Sequence, residues 1–293
     1  MKRIICFGEV LWDVLPTGRK LGGAPLNVAL RAQSWGNKAK MISSIGKDPI
    51  GEDIAEEIIG HGGSLDHIQV SESSSTSEVL VALDESGSAS YEIKMPCAWD
   101  NILPMERDAE AVEASDAFIF GSLVARSDTS RETLFGLLEK ARYKVFDVNL
   151  RPPHYTPDRI IGLMKAADFV KFNDDELYEI CSHLEFMDRE LEACIRFMAE
   201  QTDTSQICVT LGKDGGVLFY NNEFYYNKGY KITVADTVGA GDSFLASIIS
   251  QLLNACEPQE AIDFACAVGA IVASKSGANP VVSTSEVRKM IGS

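Results

Sequence analysis

A glycine-rich turn followed by an apolar run carries the clearest chemical signal in this sequence. The segment Asp236–Phe244 reads Asp-Thr-Val-Gly-Ala-Gly-Asp-Ser-Phe and precedes the helix-forming apolar run Leu245–Leu253. A glycine-rich turn that opens a helix leaves unpaired N–H groups pointing at one place, where the helix dipole also favours negative charge. The carboxylate of Asp242 would lie beside this anion site.

Asp242 has two interpretations. An aspartate at the start of a helix commonly caps it, and for an isolated residue this is the simpler reading. Beside the turn formed by Gly239, Ala240 and Gly241, the same carboxylate also suits phosphoryl transfer. The N–H groups would stabilise the moving phosphoryl group while Asp242 accepts the proton of an attacking hydroxyl. The pattern therefore predicts Asp242 as a general base.

A second glycine-rich segment lies near the N-terminus. Gly22 and Gly23 are followed by Asn27, at the start of a predicted helix. A glycine pair lets a polyol approach the main chain, and an asparagine offers both a donor and an acceptor to hydroxyl groups. The same residues are also common turn chemistry, with Asn27 as a helix cap. Alone, this segment leaves both interpretations open.

The two segments resemble the signatures of the ribokinase-like sugar kinases, also called the phosphofructokinase B family. Asp236–Phe244 is similar to the second signature at nine consecutive positions, and Gly22–Asn27 to the first. Further matches in family order extend the resemblance from Ile4 to about Pro280. The resemblance implies an ATP-dependent kinase that acts on a small carbohydrate.

Three stretches look most like bacterial fructokinases. They are the opening Gly8–Asp13, the first signature with its Ala24-Pro25 pair, and Asp147–Arg151. The resemblance implies that Asp13 binds sugar hydroxyls together with the first-signature residues. It also implies that Arg151 approaches the sugar or a phosphate, where its forked donors fit either. Without the resemblance, an aspartate in a turn would be the better interpretation of Asp13, and a surface ion pair an equally good one of Arg151.

Further residues are implied to bind the nucleotide and its metal. Asn173 and Glu176 match the motif that orders Mg²⁺ and phosphate through water, although the same pair can cap a helix. The loop from Thr210 to Gly216 matches the nucleotide loop, in which Thr210, Gly212 and Gly215 line the phosphates; a hairpin turn would use similar residues. The last match places Gly277 and Asn279 beside the adenine.

A monovalent-cation site is implied less clearly. In some relatives K⁺ lies between the loops that here contain Asp236 and Gly277. Asp236 is present, but Val281 stands where ribokinases usually have a hydroxyl ligand. Potassium activation stays open.

The elements that must position these residues alternate between strand and helix. Helical connectors between short apolar strands predict an open, mostly parallel sheet with helices on both faces. The resemblance implies the same three-layer α/β/α sandwich, as one domain over residues 1–293. The predicted strands are Lys2–Phe7, Lys40–Ile45, Ala117–Phe120, Lys144–Val148, Phe169–Phe172, Ile207–Thr210 and Val217–Tyr220. The predicted helices are Asn27–Trp35, Ile50–His61, Thr129–Arg142, Pro157–Ala167, Asp174–His183, Arg189–Gln201, Leu245–Leu253 and Ala261–Ser274.

One stretch breaks this alternation. Residues 69–101 are rich in Ser and Thr and alternate in polarity around a turn at Asp84–Gly87, a pattern typical of a hairpin. Together with about residues 14–21 they predict a small β lid that covers the site. The alternatives are a surface hairpin without a function and a homodimer contact through the edge of the hairpin. A lid and a dimer contact are compatible.

Composition limits the partners. The 293 residues include 43 acidic and 27 basic ones, which gives a net charge of −16. A field of this sign disfavours nucleic acid and anionic membranes. No apolar stretch approaches the roughly 20 residues that cross a bilayer, and Gly8-Glu9 interrupts the first apolar run. We therefore expect a cytoplasmic protein whose partners are a small-molecule sugar and ATP.

Other classes fit the sequence less well. The seven cysteines have no C-x-x-C spacing and lie in apolar runs, which predicts reduced buried thiols rather than a zinc site. The first strand leads to Gly8-Glu9 and not to Gly-x-Gly-x-x-Gly, which disfavours a dehydrogenase. A kinase for 2-keto-3-deoxygluconate or a nucleoside remains an alternative, as does an inactive sugar- or nucleotide-sensing protein.

Overall fold

A computed structural model describes residues 1–15, 18–83 and 89–292 of the chain. Strands are β1 (Arg3–Phe7), β2 (Leu11–Leu15), β3 (Gly18–Gly22), β4 (Lys38–Gly46), β5 (Ile68–Ser71), β6 (Ser77–Leu83), β7 (Ala89–Ile93), β8 (Ala117–Gly121), β9 (Lys144–Asp147), β10 (Phe169–Asn173), β11 (Gln206–Thr210), β12 (Gly216–Tyr220) and β13 (Glu223–Asn227). Helices are α1 (Ala24–Ser34), α2 (Pro49–Gly60), α3 (Glu106–Glu113), α4 (Asp128–Leu138), α5 (Pro157–Lys165), α6 (Asp174–His183), α7 (Leu191–Thr202), α8 (Ala240–Leu253), α9 (Pro258–Ala273) and α10 (Thr284–Ile291).

The main sheet has nine strands in the order β13-β12-β11-β10-β9-β8-β1-β4-β5. Its pairs from β11 to β5 are parallel, and β12 and β13 add an antiparallel edge. Parallel strands need long crossovers, which the intervening helices provide. The predicted open, mostly parallel sheet is confirmed.

Helices cover both faces of this sheet, because side chains on a strand point alternately to opposite faces. On β1, Ile5 and Phe7 pack in a core with α4, α5, α6 and α7. Ile4 and Cys6 pack in a second core with α1, α2, α8 and α9. These two buried layers make the predicted three-layer α/β/α sandwich, which is likewise confirmed.

A separate sheet has four strands in the order β3-β2-β6-β7. The predicted hairpin is present as the antiparallel pair β6–β7, and the predicted turn Asp84–Gly87 lies outside the described residues. The predicted boundaries need correction. β5 pairs with β4 in the main sheet, and Ala98–Asn101 forms a 3-10 turn in which Trp99 is fully buried. The small sheet therefore takes its second part from β6 and β7 alone.

Several predicted helix boundaries also differ from the structure. α1 begins three residues before the predicted Asn27, because Pro25 fits the first turn of a helix, where its missing N–H is not needed. α4 ends at Leu138 rather than Arg142. Because α1 begins at Ala24, Asn27 lies inside the helix and is not its cap. Asn27 is only 3% exposed.

The predictions on cysteines and membrane spans can be compared with the described residues. The seven cysteines are free thiols, and six of them are buried. Within the residues that the structure describes, every helix is too short or too polar to cross a membrane.

Candidate active site

The turn before α8 is built as an anion nest. Gly239 has φ 75°, in the left-handed region that favours glycine, and a Cβ there would lie 2.6 Å from main-chain atoms of Ala278. The N–H of Ala240 donates to the carbonyl of Thr237 at 3.2 Å. The next two amides, those of Gly241 and Asp242, are in the first helical turn, which has no intrahelical acceptor for them. They are free to bind an anionic group.

Asp242 connects this nest to the first signature. Its Oδ2 accepts a hydrogen bond from Nδ2 of Asn27 on α1, at 2.8 Å. The Oδ1 of Asn27 in turn accepts from Nδ2 of Asn279, at 2.7 Å. Three residues that are far apart in sequence therefore form one chain of hydrogen bonds, and the two signature segments lie side by side.

The surroundings of Asp242 make its carboxyl a weaker acid than usual. Burial and the nearby carboxylate of Asp147 raise its pKa to about 6. The amide of Asn27 and the positive charges of Lys171 and Arg151 act in the opposite direction. At neutral pH the group is mainly ionised, yet it is a better proton acceptor than an exposed aspartate.

A buried ion pair beside Asp242 was missed by the sequence analysis. Nζ of Lys171 on β10 is 3.0 Å from Oδ1 of Asp147, its register partner on β9. Burial would lower the pKa of Lys171, but the carboxylates of Asp147, Glu176 and Asp242 outweigh it and raise the pKa. A Cβ at Gly241 would lie 3.4 Å from the same Nζ. The one charged residue in the apolar run Phe169–Phe172 was the available signal.

The predicted sugar-binding residues lie around the junction of the small sheet and α1. Asp13 on β2 pairs in register with Lys20 on β3, and a Cβ at Gly22 would overlap the Asp13 carboxylate. Gly23 has φ 109°, and a Cβ there would overlap the carbonyl oxygen of Glu9. Glycine is therefore required at position 23, where the overlap is with the main chain. At position 22 the overlap is with side chains, which would have to shift to admit a Cβ.

Three carboxyl groups face the positive charge of Arg151. Burial raises the pKa of Asp13 to about 6, while Arg151 and Lys20 lower it. Burial raises the pKa of Glu9 to about 7; its main-chain contacts and Arg151 lower it, and Asp242 raises it. Glu9 is 3% exposed, and its Oε2 has no hydrogen-bond partner in the described structure. Glu9 was not predicted as a site residue, because in the sequence it stands only within the motif Gly8–Asp13.

Asn173 and Glu176 form a capping box at the start of α6. The Asn173 side chain accepts the N–H of Glu176, and Oε2 of Glu176 accepts the N–H of Asn173, each at 2.8 Å. The other Glu176 oxygen accepts the N–H of Leu150 at 2.9 Å, next to Arg151. The structure therefore contains the helix cap that the alternative interpretation predicts. The same carboxylate also holds the loop that carries Arg151.

The residues predicted to bind the nucleotide differ in how much free space surrounds them. Thr210 ends β11, and its hydroxyl donates to the carbonyl of Phe172 at 3.3 Å. Gly212 and Gly277 have positive φ, and a Cβ at either would meet no atom within 4 Å. A Cβ at Gly215 would overlap main-chain atoms of the loop at residues 227–229. Gly212 and Gly277 thus border open space, whereas packing explains the glycine at position 215.

The described residues contain no cluster of three or more His, Cys, Asp or Glu side chains that could hold a metal ion. The oxygen atoms near Asp242 suit a hard cation such as Mg²⁺, which usually keeps several waters and binds through substrate phosphates. The site therefore fits a metal that arrives with a nucleotide better than a permanently bound one.

Comparisons with known proteins identify the family of the chain. A family model described as pfkB family carbohydrate kinase matches residues 2–285. The chain therefore belongs to the pfkB family of carbohydrate kinases. A fructokinase of Salmonella typhimurium is 26% identical over 298 residues, which cover 94% of this chain and 94% of that protein.

Two solved structures share the fold over nearly the whole chain. A sugar kinase of Pyrococcus horikoshii in complex with ATP is 26% identical, with a TM-score of 0.82 and coverage of 98% of this chain and 99% of that one. A Vibrio cholerae fructokinase bound to fructose, ADP and potassium is 21% identical, with a TM-score of 0.86 and coverage of 99% and 98%.

The buried pair at the site generates a stability prediction. We expect Lys171→Met to lower the free energy of unfolding by about 3–5 kcal/mol, because Asp147 would be left as an unpaired buried charge. The double variant Asp147→Asn/Lys171→Met should recover most of this loss. Urea denaturation measures both.

Lys40→Met is the matched control, because Lys40 and Asp66 form an exposed pair at 2.9 Å. Its effect should stay below about 1 kcal/mol. Equal losses for Lys171→Met and Lys40→Met would show that the buried pair has no special electrostatic importance.

Proposed function

We propose that this pfkB-family kinase is a fructokinase that transfers the γ-phosphoryl group of ATP to a hydroxyl of fructose, with Asp242 as the general base. The observation that carries this proposal is the hydrogen bond between Asn27 and Asp242 at the N-terminus of α8. It supports the proposal because an amide of a kind that suits hydroxyl groups contacts a carboxylate in the first turn of α8. The Salmonella relative supports fructose as the acceptor.

The sugar would bind between the small sheet and α1. Asp13 supplies acceptors for neighbouring hydroxyls, and Gly22 and Gly23 let the sugar approach the main chain. Asn27 already donates to Asp242, so a hydroxyl beside it lies near the base. Arg151 lies close to Asp13 and Asp242 and balances part of their charge.

ATP would lie across the open glycines of two loops. Thr210 and Gly212 would line the phosphates, with Gly215 shaping the loop, while Gly277 and Asn279 would border the adenine. Asn173 and Glu176 would hold Mg²⁺ through water, and the ion would supply charge neutralisation to the transfer. The Glu176 oxygens keep their main-chain hydrogen bonds in this arrangement.

The transfer itself would be direct and in line. As the acceptor oxygen bonds to the γ-phosphorus, its proton passes to Asp242 and the bond to the ADP oxygen breaks, so no enzyme-bound intermediate forms. The N–H groups of Gly241 and Asp242, together with that of Gly239, would stabilise the phosphoryl oxygens. The predicted donor Ala240 already donates its N–H to the carbonyl of Thr237. The positive charge of Lys171 lies beside Gly241 and keeps Asp242 mainly ionised at neutral pH.

The small sheet would act as a lid that excludes water during transfer. Its sugar-side residue Asp13 belongs to β2, so closure of the sheet would also complete the sugar site. A homodimer through this sheet stays a prediction, which sedimentation at several protein concentrations tests.

A second acceptor is favoured by one observation. Arg151 is a positive group near the sugar-side residue Asp13, and an arginine fork suits the carboxylate of 2-keto-3-deoxygluconate. Glu9 and Asp13 surround the same arginine with negative charge, which favours a neutral sugar.

Acceptor specificity is tested by ADP release with ATP and Mg²⁺. The panel is fructose, ribose, tagatose, 2-keto-3-deoxygluconate and adenosine. We expect the highest kcat/KM with fructose. A higher value with 2-keto-3-deoxygluconate would move the assignment to the acid, and thermal stabilisation by ligands without any turnover would indicate an inactive sensing protein.

The role of Asp242 is tested by Asp242→Asn. We expect kcat to fall by roughly 10²–10⁴-fold with sugar binding largely kept, because the amide cannot accept the proton. Since burial raises the pKa of Asp242, the ionised carboxylate opposes folding at neutral pH, and the variant should be at least as stable as the wild type.

Asp175→Asn is the matched control, because Asp175 is an exposed carboxylate in the first turn of α6. Its kcat should equal that of the wild type. A near-normal kcat in Asp242→Asn would remove Asp242 from the proposed role.

A further inference from the structure

An ion pair joins the small sheet to the main body beside the site. Nζ of Lys20 on β3 is 2.8 Å from Oδ2 of Asp236, in the loop that leads to α8. The two side chains are 35% and 18% exposed. By comparison, the surface pair Lys47–Glu72 has side chains 65% and 75% exposed. Solvent and salt therefore screen the Lys20–Asp236 pair less than an ordinary surface pair.

The carboxylate of Asp236 also fixes two loops of the site to each other. Its Oδ2 accepts the N–H of Gly277 and its Oδ1 accepts the N–H of Val238, both at 3.1 Å. The N–H of Asp236 itself donates to the carbonyl of Ala273 at 3.2 Å. The approach to the Gly239 turn and the candidate adenine loop thus share one anchor.

The residues around Asp236 do not fit a monovalent cation. Such an ion needs several oxygen ligands directed at it, but the described contacts of both Asp236 oxygens are N–H donors from Lys20, Val238 and Gly277. The side chain of Val281 has no oxygen and is 87% exposed. Burial alone would raise the pKa of Asp236, but these hydrogen bonds hold it below its usual value. The carboxylate is therefore ionised, and Lys20 already balances its charge.

We propose that the ammonium group of Lys20 replaces a monovalent cation at Asp236, so that this enzyme does not depend on K⁺. Both groups carry one positive charge, but an ammonium donates hydrogen bonds where K⁺ would need oxygen ligands. The lysine is also covalently part of the small sheet. This inference rests on the proposed kinase function for its activity readout.

The covalent attachment gives Lys20 a second effect, as a positioning residue. Lys20 is the register partner of Asp13 across β2 and β3, and its charge lowers the pKa of Asp13. The ammonium group of Lys20 thus interacts both with Asp13 and with Asp236, the residue that joins the two loops. The pair therefore couples the position of the small sheet to the geometry of the anion nest.

The test is a KCl titration of fructose phosphorylation with tetramethylammonium chloride holding the ionic strength constant. We expect kcat/KM of the wild type to be unchanged by K⁺. Lys20→Met should lower kcat/KM about fivefold or more, in the range usual for coupled sites, and K⁺ should not restore it, because the N–H donors that remain at Asp236 leave the ion too few oxygen ligands. Lys20→Arg should keep most of the activity, and Lys47→Met, which removes the exposed pair, should behave as the wild type.

Melting temperatures over the same salt series separate this inference from the proposed function. The wild type should show no K⁺-specific shift, and Lys20→Met should melt lower at every K⁺ concentration; a K⁺-specific rise in the variant would contradict the misfit of the ion at Asp236. A wild type that K⁺ activates or stabilises several-fold more than tetramethylammonium would overturn the proposal, as would a Lys20→Met variant with unchanged activity and melting. If the wild type phosphorylates no acceptor, the proposed function fails and the melting series still decides the ion question.

Discussion

The site depends on one contact, the hydrogen bond from Asn27 to Asp242 across 215 positions of sequence. It requires α1 and α8 to lie side by side, and both pack on the same face of the main sheet. The sheet order brings this about, because β1 lies in the middle of the parallel strands and α1 follows it through β2 and β3. The core, rather than a flexible loop, thus holds the carboxylate of Asp242 on one helix next to the amide of Asn27 on another.

The second constraint is charge. Around the base lie the carboxyl groups of Glu9, Asp13, Asp147 and Glu176, against the cations Lys171 and Arg151. Burial raises the pKa values of Glu9, Asp13 and Asp242, and a neighbouring carboxylate adds to the rise for Glu9 and for Asp242. A nucleotide adds further negative charge, so the main-chain N–H groups of α8 and a metal ion would have to balance it. Because burial raises the pKa of Asp242, its carboxylate is a better proton acceptor than that of an exposed aspartate.

The sequence could predict helices and strands with a clear hydrophobic period, and it could predict the glycine-rich turns. The alternation of strands and helices gave the sandwich, and α6 was predicted residue for residue. It could not show pairs that only the sheet register creates, such as Asp147–Lys171, or the lid-to-loop pair Lys20–Asp236. Nor could it separate Gly215, which main-chain packing requires, from Gly212, which borders open space. The limits of the small sheet were predicted wrongly at residue 69. The Ser- and Thr-rich composition there is typical of a hairpin, but β5 pairs with β4 and forms the edge of the main sheet.

The central claim is that Asp242, set in this charged network, accepts the proton of the sugar. The pH dependence of kcat/KM for fructose tests it most directly, because that profile reports groups of the free enzyme. We expect the rate to rise with pH through an apparent pKa of about 6 and then level off, with the same limb in Glu9→Gln. In Asn27→Ala the limb should move to higher pH, because the Asn27 amide lowers the pKa of Asp242. A limb that disappears in Glu9→Gln, or that stays in place in Asn27→Ala, would contradict the account.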